Sequence, residues 1–314
     1  MSQARANGLF IEYESFGPDS DPALLLVSGW SVQMLAWDEA LCRRFAGLGL
    51  RVIRFDNRDC GLSMHFDGVE YDVLAAAAAQ LRGAAVPAPP YRLCDMADDA
   101  IGLLDALGIE RAHIAGASMG GMIAQRIAIA YPARVLSLIS IMSNTGEPGI
   151  GESTPEALAA LFTPPPTTRD AYADHIARVA RVIGSKTHFD EGAVRARALA
   201  GFDRAYYPEG AVRQTGAVMA ETSRAEALTQ LRVPTLVIHG RQDPLIACAA
   251  GERTAQLIPS ASLLILDTAG HDLPEPLWPE IVDAVAGHIE RATPKRRFGD
   301  RIKAWLRRGV GRRT

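Results

Sequence analysis

One stretch of this chain, AHIAGASMGGMIA at residues 112–124, restricts its possible folds more than any other. It contains a short apolar run, then the motif Gly-x-Ser-x-Gly, and then a helical pattern of apolar residues. This order predicts a strand, a sharp turn and a helix, with Ser118 at the turn. In so sharp a turn, side chains at positions 116 and 120 would collide with neighbouring backbone. This steric conflict explains why Gly116 and Gly120 are glycines. Ser118 is therefore a candidate catalytic nucleophile.

Two other interpretations of this segment have less support. Small residues also occur where a helix simply packs closely on a strand, but the flanking strand and helix patterns favour a built turn. A phosphate-binding loop is disfavoured, because residues 116–122 contain neither a Gly-Lys-Ser/Thr ending nor the spacing Gly-x-Gly-x-x-Gly. The segment does not predict a nucleotide site.

Apolar runs rich in Val, Ile and Leu alternate with helical patterns along most of the chain. Such alternation indicates an α/β fold with a mostly parallel central sheet and helices on both faces. Strands are predicted at 9–16, 23–27, 50–55, 112–115, 135–141, 234–239 and 261–266. Helices are predicted at 37–46, 96–107 and 119–131, and Pro132 ends the last of these.

The alternation stops in residues 144–231. This region contains several glycines, a triple proline, and helical patterns near 170–183 and 192–220, but no strand pattern. We predict that it is a helical cap inserted into a core made of residues 1–143 and 232–290. The cap is expected to cover the carboxyl edge of the sheet, where open α/β sheets bind their ligands.

Composition is that of an ordinary globular protein, with 314 residues of which 48% are hydrophobic and 22% charged. The amino terminus lacks the apolar segment of a secretory signal, and no stretch approaches the roughly 20 apolar residues of a membrane span. We therefore expect a cytoplasmic protein. The cysteines lack paired spacing, which predicts neither a disulfide framework nor a zinc site; they are Cys42, Cys60, Cys94 and Cys248.

Charge is distributed unevenly, because residues 291–314 contain ten of the 33 Lys and Arg but only one of the 36 acids. Apolar residues recur among them at helical spacing, which predicts a basic amphipathic helix; they are Phe298, Ile302, Trp305 and Leu306. Two roles stay open for this tail. It makes weak contact with an anionic membrane surface, or it docks on the acidic body of its own protein or frays in solvent. The second is the simpler expectation.

A serine hydroxyl needs a base to act as a nucleophile, and the base is usually a histidine oriented by a carboxylate. His271 follows the final predicted strand in a glycine-containing loop, at the ligand edge of the sheet. Asp243 follows the preceding strand at the same edge, and Pro244 helps to fix its loop. We predict that His271 is the base and Asp243 its orienting acid. Asp267 and Asp272 are too near His271 in sequence for a well-directed hydrogen bond.

Acyl transfer also needs an oxyanion hole, made of two N–H groups aimed at the developing alkoxide. Met119 is expected to provide one backbone N–H, because it directly follows the nucleophile at the start of a helix. The loop after the strand at 23–27 is expected to provide the second, from the backbone of Trp30. The ring of Trp30 is either a wall of the acyl pocket or simple packing.

The chain order Ser, Asp, His, with a cap after the sixth strand, resembles that of the α/β hydrolases. Residues 56–63, DNRDCGLS, are similar to the Asp-x-Arg-Gly-x-Gly-x-Ser loop of that family, with Asp59 in place of its first glycine. The segment Ser28-Gly29-Trp30 departs from the commoner His-Gly. Together with Tyr-Tyr-Pro-Glu-Gly at 206–210, these segments most resemble the aclacinomycin methylesterase group of carboxylic ester hydrolases. The resemblance covers residues 8–290.

This resemblance implies an esterase that cleaves methyl or small alkyl esters of apolar acids through an acyl-enzyme. Its partner would be a small-molecule ester, and nothing points to nucleic acid. The chemistry requires neither a cofactor nor a metal ion. C–C bond hydrolysis, acyl transfer and peracid formation stay open as alternatives on the same three residues, since they differ in pocket shape and water access. A ligand receptor built on a hydrolase scaffold is the alternative from another class.

Overall fold

A central eight-stranded sheet organises the protein. In the computed structural model, which describes residues 2–292, the strand order is β1-β2-β4-β3-β5-β6-β7-β8. The strands are β1 (Ser2–Ala6), β2 (Leu9–Phe16), β3 (Ala23–Val27), β4 (Arg51–Phe55), β5 (Ala112–Ala117), β6 (Val135–Ile141), β7 (Thr235–Gly240) and β8 (Ser262–Leu266). β2 pairs antiparallel with β1 and β4, whereas the remaining pairs of this sheet are parallel. The predicted α/β fold with a mostly parallel sheet is confirmed.

Helices connect these strands, and three of them lie where the sequence predicts helices, at 37–46, 96–107 and 119–131. Within the described residues they are α1 (Glu39–Ala46), α2 (Val73–Leu81), α3 (Leu93–Ala106), α4 (Met119–Ala130), α5 (Pro155–Leu161), α6 (Arg169–Ile183), α7 (Glu191–Ala205), α8 (Glu209–Met219), α9 (Ala225–Thr229), α10 (Ala249–Leu257) and α11 (Trp278–Ala292). The antiparallel strand β1 was not predicted, because its sequence, Ser-Gln-Ala-Arg-Ala, has only its last residue buried.

Apolar helix surfaces cover both faces of the sheet. All of β3 is buried, which explains why its sequence Ala-Leu-Leu-Leu-Val has no polar face. Leu25 belongs to a core that includes residues of α3 and α4, and Leu26 belongs to a second core that includes residues of α1 and α11. A strand buried on both faces gives a continuous apolar run, and this is the signal that made it recognisable.

The register of the parallel strands determines which loops meet at the carboxyl edge of the sheet. Gly116 of β5 pairs with Val27 of β3 on one side and with Ser140 of β6 on the other. The loops that follow β3, β5, β7 and β8 therefore leave the sheet at one edge. The candidate site residues lie on these loops or directly beside them, with Gly116 near the end of β5.

Residues 144–231, all of them described, contain helices α5 to α9 and no strand. We call this region the cap. The helical pattern near 192–220 corresponds to two helices, α7 and α8, rather than to one continuous helix. The chain is extended at Tyr206, with φ −86° and ψ 108°, and Pro208 disfavours a helical conformation at the residue before it.

Two buried ion pairs join the cap to the core. Arg204 of α7 lies 2.6 Å from a carboxylate oxygen of Asp56, and Arg213 of α8 donates two hydrogen bonds of 2.8 Å to Asp59. Gln33 accepts a further hydrogen bond from Arg204. Removing one partner of a buried pair leaves an uncompensated charge, so these contacts strongly specify how the cap sits on the sheet.

The tail beyond α11 was predicted as a basic amphipathic helix, and residues 293–314 lie outside the part of the chain that the structure describes. The prediction of membrane contact through this tail lies outside it too. Among residues 2–292, none of the helices combines the length and the apolar character needed to cross a bilayer.

Candidate active site

Ser118 lies at the turn between β5 and α4 in a strained backbone conformation. Its φ is 57° and its ψ is −123°, a combination that residues other than glycine rarely adopt. The N–H of Ser118 donates to the carbonyl of Ile141 at 2.9 Å, and the hydroxyl of Ser143 donates to the carbonyl of Ser118 at 2.9 Å. Strain of this kind persists only where surrounding contacts impose it, and it is concentrated at functional sites.

The two glycines of the motif make room for this turn. A Cβ atom added at Gly116 would lie 2.0 Å from the carbonyl oxygen of Gly120, and one added at Gly120 would lie 2.2 Å from that of Val27. Both obstacles are backbone atoms, which cannot move aside as the end of a side chain can. The absence of two side chains therefore lets α4 begin directly against β3 and β5.

Asp243 and His271 meet at the same edge of the sheet. His271 Nδ1 lies 2.7 Å from Asp243 Oδ2, and both side chains are buried. The other carboxylate oxygen, Oδ1, accepts the N–H groups of Leu245 at 2.8 Å and Ile246 at 2.9 Å. An ionised carboxylate only accepts hydrogen bonds, so Nδ1 bears the hydrogen and Nε2 of the neutral ring is left as an acceptor. This is how a general base and its orienting acid are arranged.

A second histidine, His239, lies against the same acid. Its Nε2 is 3.5 Å from Asp243 Oδ2 and 2.7 Å from the carbonyl oxygen of Ile246. Burial raises the pKa of Asp243, but the electrostatic interaction with His271 and hydrogen bonds from His239, His271 and the backbone outweigh it and lower this pKa to about 2. Asp243 is therefore ionised at neutral pH. The sequence predicts His239 as a core residue in or beside a strand and gives no sign of this contact.

The loop that carries His271 rests on the cap. The N–H of His271 donates to the carbonyl of Ile183, at the end of α6, at 2.8 Å. The hydroxyl of Ser185 accepts the N–H of Gly270 at 3.0 Å and donates to the carboxylate of Asp272, which also accepts the N–H of Ser185 at 3.0 Å. The position of the candidate base thus depends on contacts with the cap as well as on β8.

The backbone N–H groups of Trp30 and Met119 are the predicted donors to an oxyanion. A Cβ atom at Gly29 would lie 3.4 Å from the Cβ of Ser118, which places the segment after β3 against Ser118. Met119 is the first residue of α4, so its N–H has no partner within the helix. Within residues 2–292, neither this N–H nor that of Trp30 donates to a protein acceptor. The positive end of the α4 dipole adds to their effect on a developing negative charge.

The ring of Trp30 packs against the cap. Its indole N–H lies 3.1 Å from the carbonyl oxygen of Ala211 and 3.0 Å from the hydroxyl oxygen of Thr215, both on α8. The ring centroid lies 5.8 Å from that of Phe162, the residue that follows α5. The sequence leaves two roles open for this ring, and the structure places it at the junction between the loop after β3 and the cap.

Asp59 occupies the position where the family loop has a glycine. Its φ is 61°, in the left-handed region, and its side chain is fully buried. The carboxylate accepts the hydroxyl of Tyr91 at 2.7 Å and two N–H groups of Arg213. The sequence predicts only a structural role for this loop. The sign that could have indicated a partner was an acid at a position that favours glycine.

Metal-dependent chemistry and catalysis by a cysteine nucleophile have less support in the structure. The described residues hold no group of three or more side chains arranged to bind a metal ion. Each of the four cysteines is free. Burial raises the pKa of Cys42 to about 12 and also raises that of Cys60, which makes these thiols poor nucleophiles at neutral pH.

Comparison with known proteins identifies the family. The family model for the alpha/beta hydrolase fold matches residues 22–275. The chain belongs to the alpha/beta hydrolase fold family. The predicted family is thus confirmed, and with it the predicted class of enzyme, a hydrolase.

Two curated relatives cover nearly the whole chain. The rhodomycin D methylesterase DauP of a Streptomyces strain is 25% identical over 300 residues, which span 89% of this chain and 95% of the relative. The putative carbamate hydrolase RutD of a Caulobacter strain is 27% identical over 292 residues, which span 86% of this chain and 91% of the relative. The first of these confirms the predicted resemblance to the methylesterase group.

Solved structures agree on the fold. The meta-cleavage product hydrolase CumD of Pseudomonas fluorescens superposes with a TM-score of 0.71 at 21% identity, covering 93% of this chain and 98% of its own. The esterase RhEst1 of a Rhodococcus strain gives a TM-score of 0.70 at 20% identity, covering 93% of this chain and 99% of its own. At such identities the likeness establishes the fold alone.

Proposed function

We propose that this hydrolase cleaves carboxylic esters through an acyl-enzyme formed on Ser118. The observation that supports this most strongly is the 2.7 Å hydrogen bond between His271 and Asp243, at the sheet edge where Ser118 is held in a strained turn. A serine, a histidine and an acid in these roles are the parts that nucleophilic catalysis by serine requires.

The reaction proceeds in two halves. Nε2 of His271 removes the hydroxyl proton of Ser118 as its oxygen attacks the ester carbonyl carbon, and the N–H groups of Trp30 and Met119 stabilise the oxyanion. Asp243 stabilises the imidazolium, which then protonates the leaving alcohol oxygen. His271 next removes a proton from water, the hydroxide attacks the acyl carbonyl, and the proton returns to Ser118 as the acid leaves.

We propose methyl or small alkyl esters of apolar acids as the substrates. Similarity to a rhodomycin D methylesterase along most of the chain supports the alcohol side of this proposal. The aromatic contact between Trp30 and Phe162, next to the oxyanion segment, supports an apolar acid, because aromatic surface gains free energy by covering apolar ligands.

Replacing the nucleophile tests the proposal. Ser118→Ala should lower kcat on short p-nitrophenyl and methyl esters by about 10³-fold or more, because only binding and the oxyanion donors remain. The unfolding midpoint in urea should stay that of the native chain, since the change removes one oxygen atom. Ser137→Ala, a buried serine on β6 away from the candidate site, is the control and should keep its kcat.

Mass spectrometry of the native chain during turnover tests the acyl-enzyme directly. The protein mass should increase by the acyl group of the ester, and this increase should be absent from Ser118→Ala. Turnover by Ser118→Ala at a rate near that of the native chain would contradict the proposal. A panel with a lactone and a cleavable diketone separates the alternatives: faster cleavage of the diketone would assign C–C bond hydrolysis, and tight binding without turnover would assign a receptor.

A further inference from the structure

One side chain of the cap is hydrogen-bonded to the backbone of the loop after β3, residues 28–33, which we call the oxyanion segment. Gln214 of α8 is fully buried. Its Oε1 accepts the N–H of Ser31 at 2.8 Å, and its Nε2 donates to the carbonyl of Arg58 at 2.9 Å. Because one partner is a donor and the other an acceptor, the orientation of the amide is fixed.

Ser31 matters because it directly follows Trp30, whose N–H is the proposed oxyanion donor. The φ of Ser31 is 57°, a left-handed conformation that costs energy in residues other than glycine. The hydrogen bond to Gln214 satisfies the N–H that this conformation turns toward the cap. Ser31 is thereby excluded as a donor to substrate, and the N–H of Trp30 stays free.

Further contacts hold the segment on the other side of Trp30. The side-chain amide of Asn57 donates to the carbonyl of Ser28 at 2.9 Å, and the indole of Trp30 is bonded to α8. The backbone of Trp30 therefore lies between two anchored peptides, one held by Asn57 and one by Gln214. An N–H donor that is already fixed needs no reorganisation when charge develops on the substrate, and this is why oxyanion donors stabilise a transition state so effectively.

We propose that Gln214 is a positioning residue for the oxyanion hole. It holds the peptide between Trp30 and Ser31 so that the N–H of Trp30 faces the carbonyl oxygen of the bound ester. This inference rests on the proposed ester hydrolysis. Gln214 itself touches no reacting atom, and it acts through a contact between residues 183 positions apart in sequence.

The test is Gln214→Met, which keeps the length of the side chain and removes both hydrogen bonds. We expect kcat to fall about 10- to 100-fold with KM changed by less than about threefold, because the lost interaction is made mainly in the transition state. A trifluoromethyl ketone, whose adduct with Ser118 places an oxyanion in the same hole, should lose affinity by a similar factor. Gln214→Glu keeps an acceptor for the Ser31 N–H and should retain more kcat than Gln214→Met.

Gln125→Met is the matched control. Gln125 of α4 is also fully buried and also uses both ends of its amide, donating to the hydroxyl of Ser140 at 3.2 Å and accepting from Arg224 at 3.0 Å. It has no hydrogen bond to residues 28–33. We expect this variant to lose stability while its folded fraction keeps both kcat and affinity for the ketone. If the role of Gln214 is purely structural, Gln214→Met and Gln125→Met should both keep kcat and ketone affinity in their folded fractions.

The outcomes separate this inference from the function on which it rests. Ester turnover that Ser118→Ala abolishes but Gln214→Met leaves unchanged would overturn the role of Gln214 alone. If the native chain turns over no ester, both proposals are overturned. Should Gln214→Met not fold, Gln214→Asn decides: its amide is too short to reach both partners, and an unchanged kcat and ketone affinity in that variant would overturn the inference.

Discussion

Two parts of the candidate site are fixed by different means. The turn at Ser118 is built by residues 112–124 themselves and by the strands on either side, with backbone atoms in contact where Gly116 and Gly120 lack side chains. The loops beside it are fastened to the cap instead. The N–H of His271 donates to the end of α6, and the N–H of Ser31 donates to Gln214 of α8.

This difference predicts two kinds of failure. The turn at Ser118 cannot adjust to a side chain in place of either glycine, because the obstacle is backbone that the whole sheet holds in place. The loops are held by individual hydrogen bonds, each worth about 1–3 kcal/mol when its loss leaves a buried group unpaired. Changes at the turn should therefore abolish fold and activity together, whereas changes in the cap should lower kcat in a protein that still folds.

Gly116→Ala should have the largest effect. Its Cβ would lie 2.0 Å from the carbonyl oxygen of Gly120, so β5 and α4 must separate to admit it. We expect the free energy of unfolding to fall by about 4 kcal/mol or more, the range reached only by severe core changes. Urea unfolding monitored by circular dichroism measures this loss of unfolding free energy. Failure to obtain soluble protein would likewise indicate severe destabilisation.

Gly287→Ala is the control for that substitution. Gly287 lies inside α11, and the nearest atom to an added Cβ is 3.3 Å away, at the flexible end of Arg291. Alanine favours helix over glycine by about 0.5–1 kcal/mol, so this variant should be neutral or slightly more stable. Native stability in Gly116→Ala would show that the turn tolerates a side chain and would remove the contrast between turn and loops.

Asp59→Gly should have the next largest effect, although it introduces the residue that the family loop has at this position. Glycine suits the φ of 61°, but the change leaves Arg213 of α8 and the hydroxyl of Tyr91 without their acceptor. We expect the free energy of unfolding to fall by about 3 kcal/mol, as when one partner of a buried ion pair is removed. Since α8 bears Gln214, kcat should fall as well.

A second substitution separates the effect of the unpaired charge on Arg213 from the effect of the changed backbone at position 59. Adding Arg213→Met to Asp59→Gly removes the unpaired charge and should restore a large part of the lost stability, because replacing both partners of a buried pair by apolar groups is often nearly neutral. Equal stability of Asp59→Gly and the native chain in urea would mean that this ion pair does not fasten the cap.

Local sequence specified the parts of the site that local backbone builds. The turn at Ser118 could be predicted because its glycines, its preceding strand and its following helix are adjacent in the chain. Asp243 and His271 could be proposed because each directly follows a strand recognisable by its apolar run. These signals depend on near neighbours, and the carboxyl ends of parallel strands meet at one edge in any sheet of this kind.

The contacts that hold the loops left no such signal. Gln214 and Ser185 are polar residues in the cap, and their partners lie 183 and 85 positions away in sequence. A helical pattern shows which face of a helix is apolar, but it does not show which backbone N–H a buried amide will meet. The break between α7 and α8 is a different case, because Pro208 is a local signal: proline lacks the N–H of a helix interior and disfavours helix at the residue before it.

Ser185→Ala should have the smallest effect of these three substitutions and gives the sharpest test of the cap as support for His271. It removes the acceptor of the Gly270 N–H and a donor to Asp272, and leaves the 2.8 Å bond from His271 to the carbonyl of Ile183. We expect a loss of about 1–2 kcal/mol in unfolding free energy, the usual result of leaving a buried N–H unpaired. We also expect a decrease in kcat with KM nearly unchanged.

Ser137→Ala is the control that separates an effect on the loop of His271 from general destabilisation. Ser137 is a buried serine of β6 whose hydroxyl lies 2.8 Å from Nδ1 of His113, remote from the loop of His271. The two variants should lose similar stability, because each leaves one buried polar group without a partner. Only Ser185→Ala should lose kcat, measured where both variants are fully folded. If kcat decreases equally in both, the loss reflects general loosening of the fold, and the loop of His271 does not depend on the cap for its position.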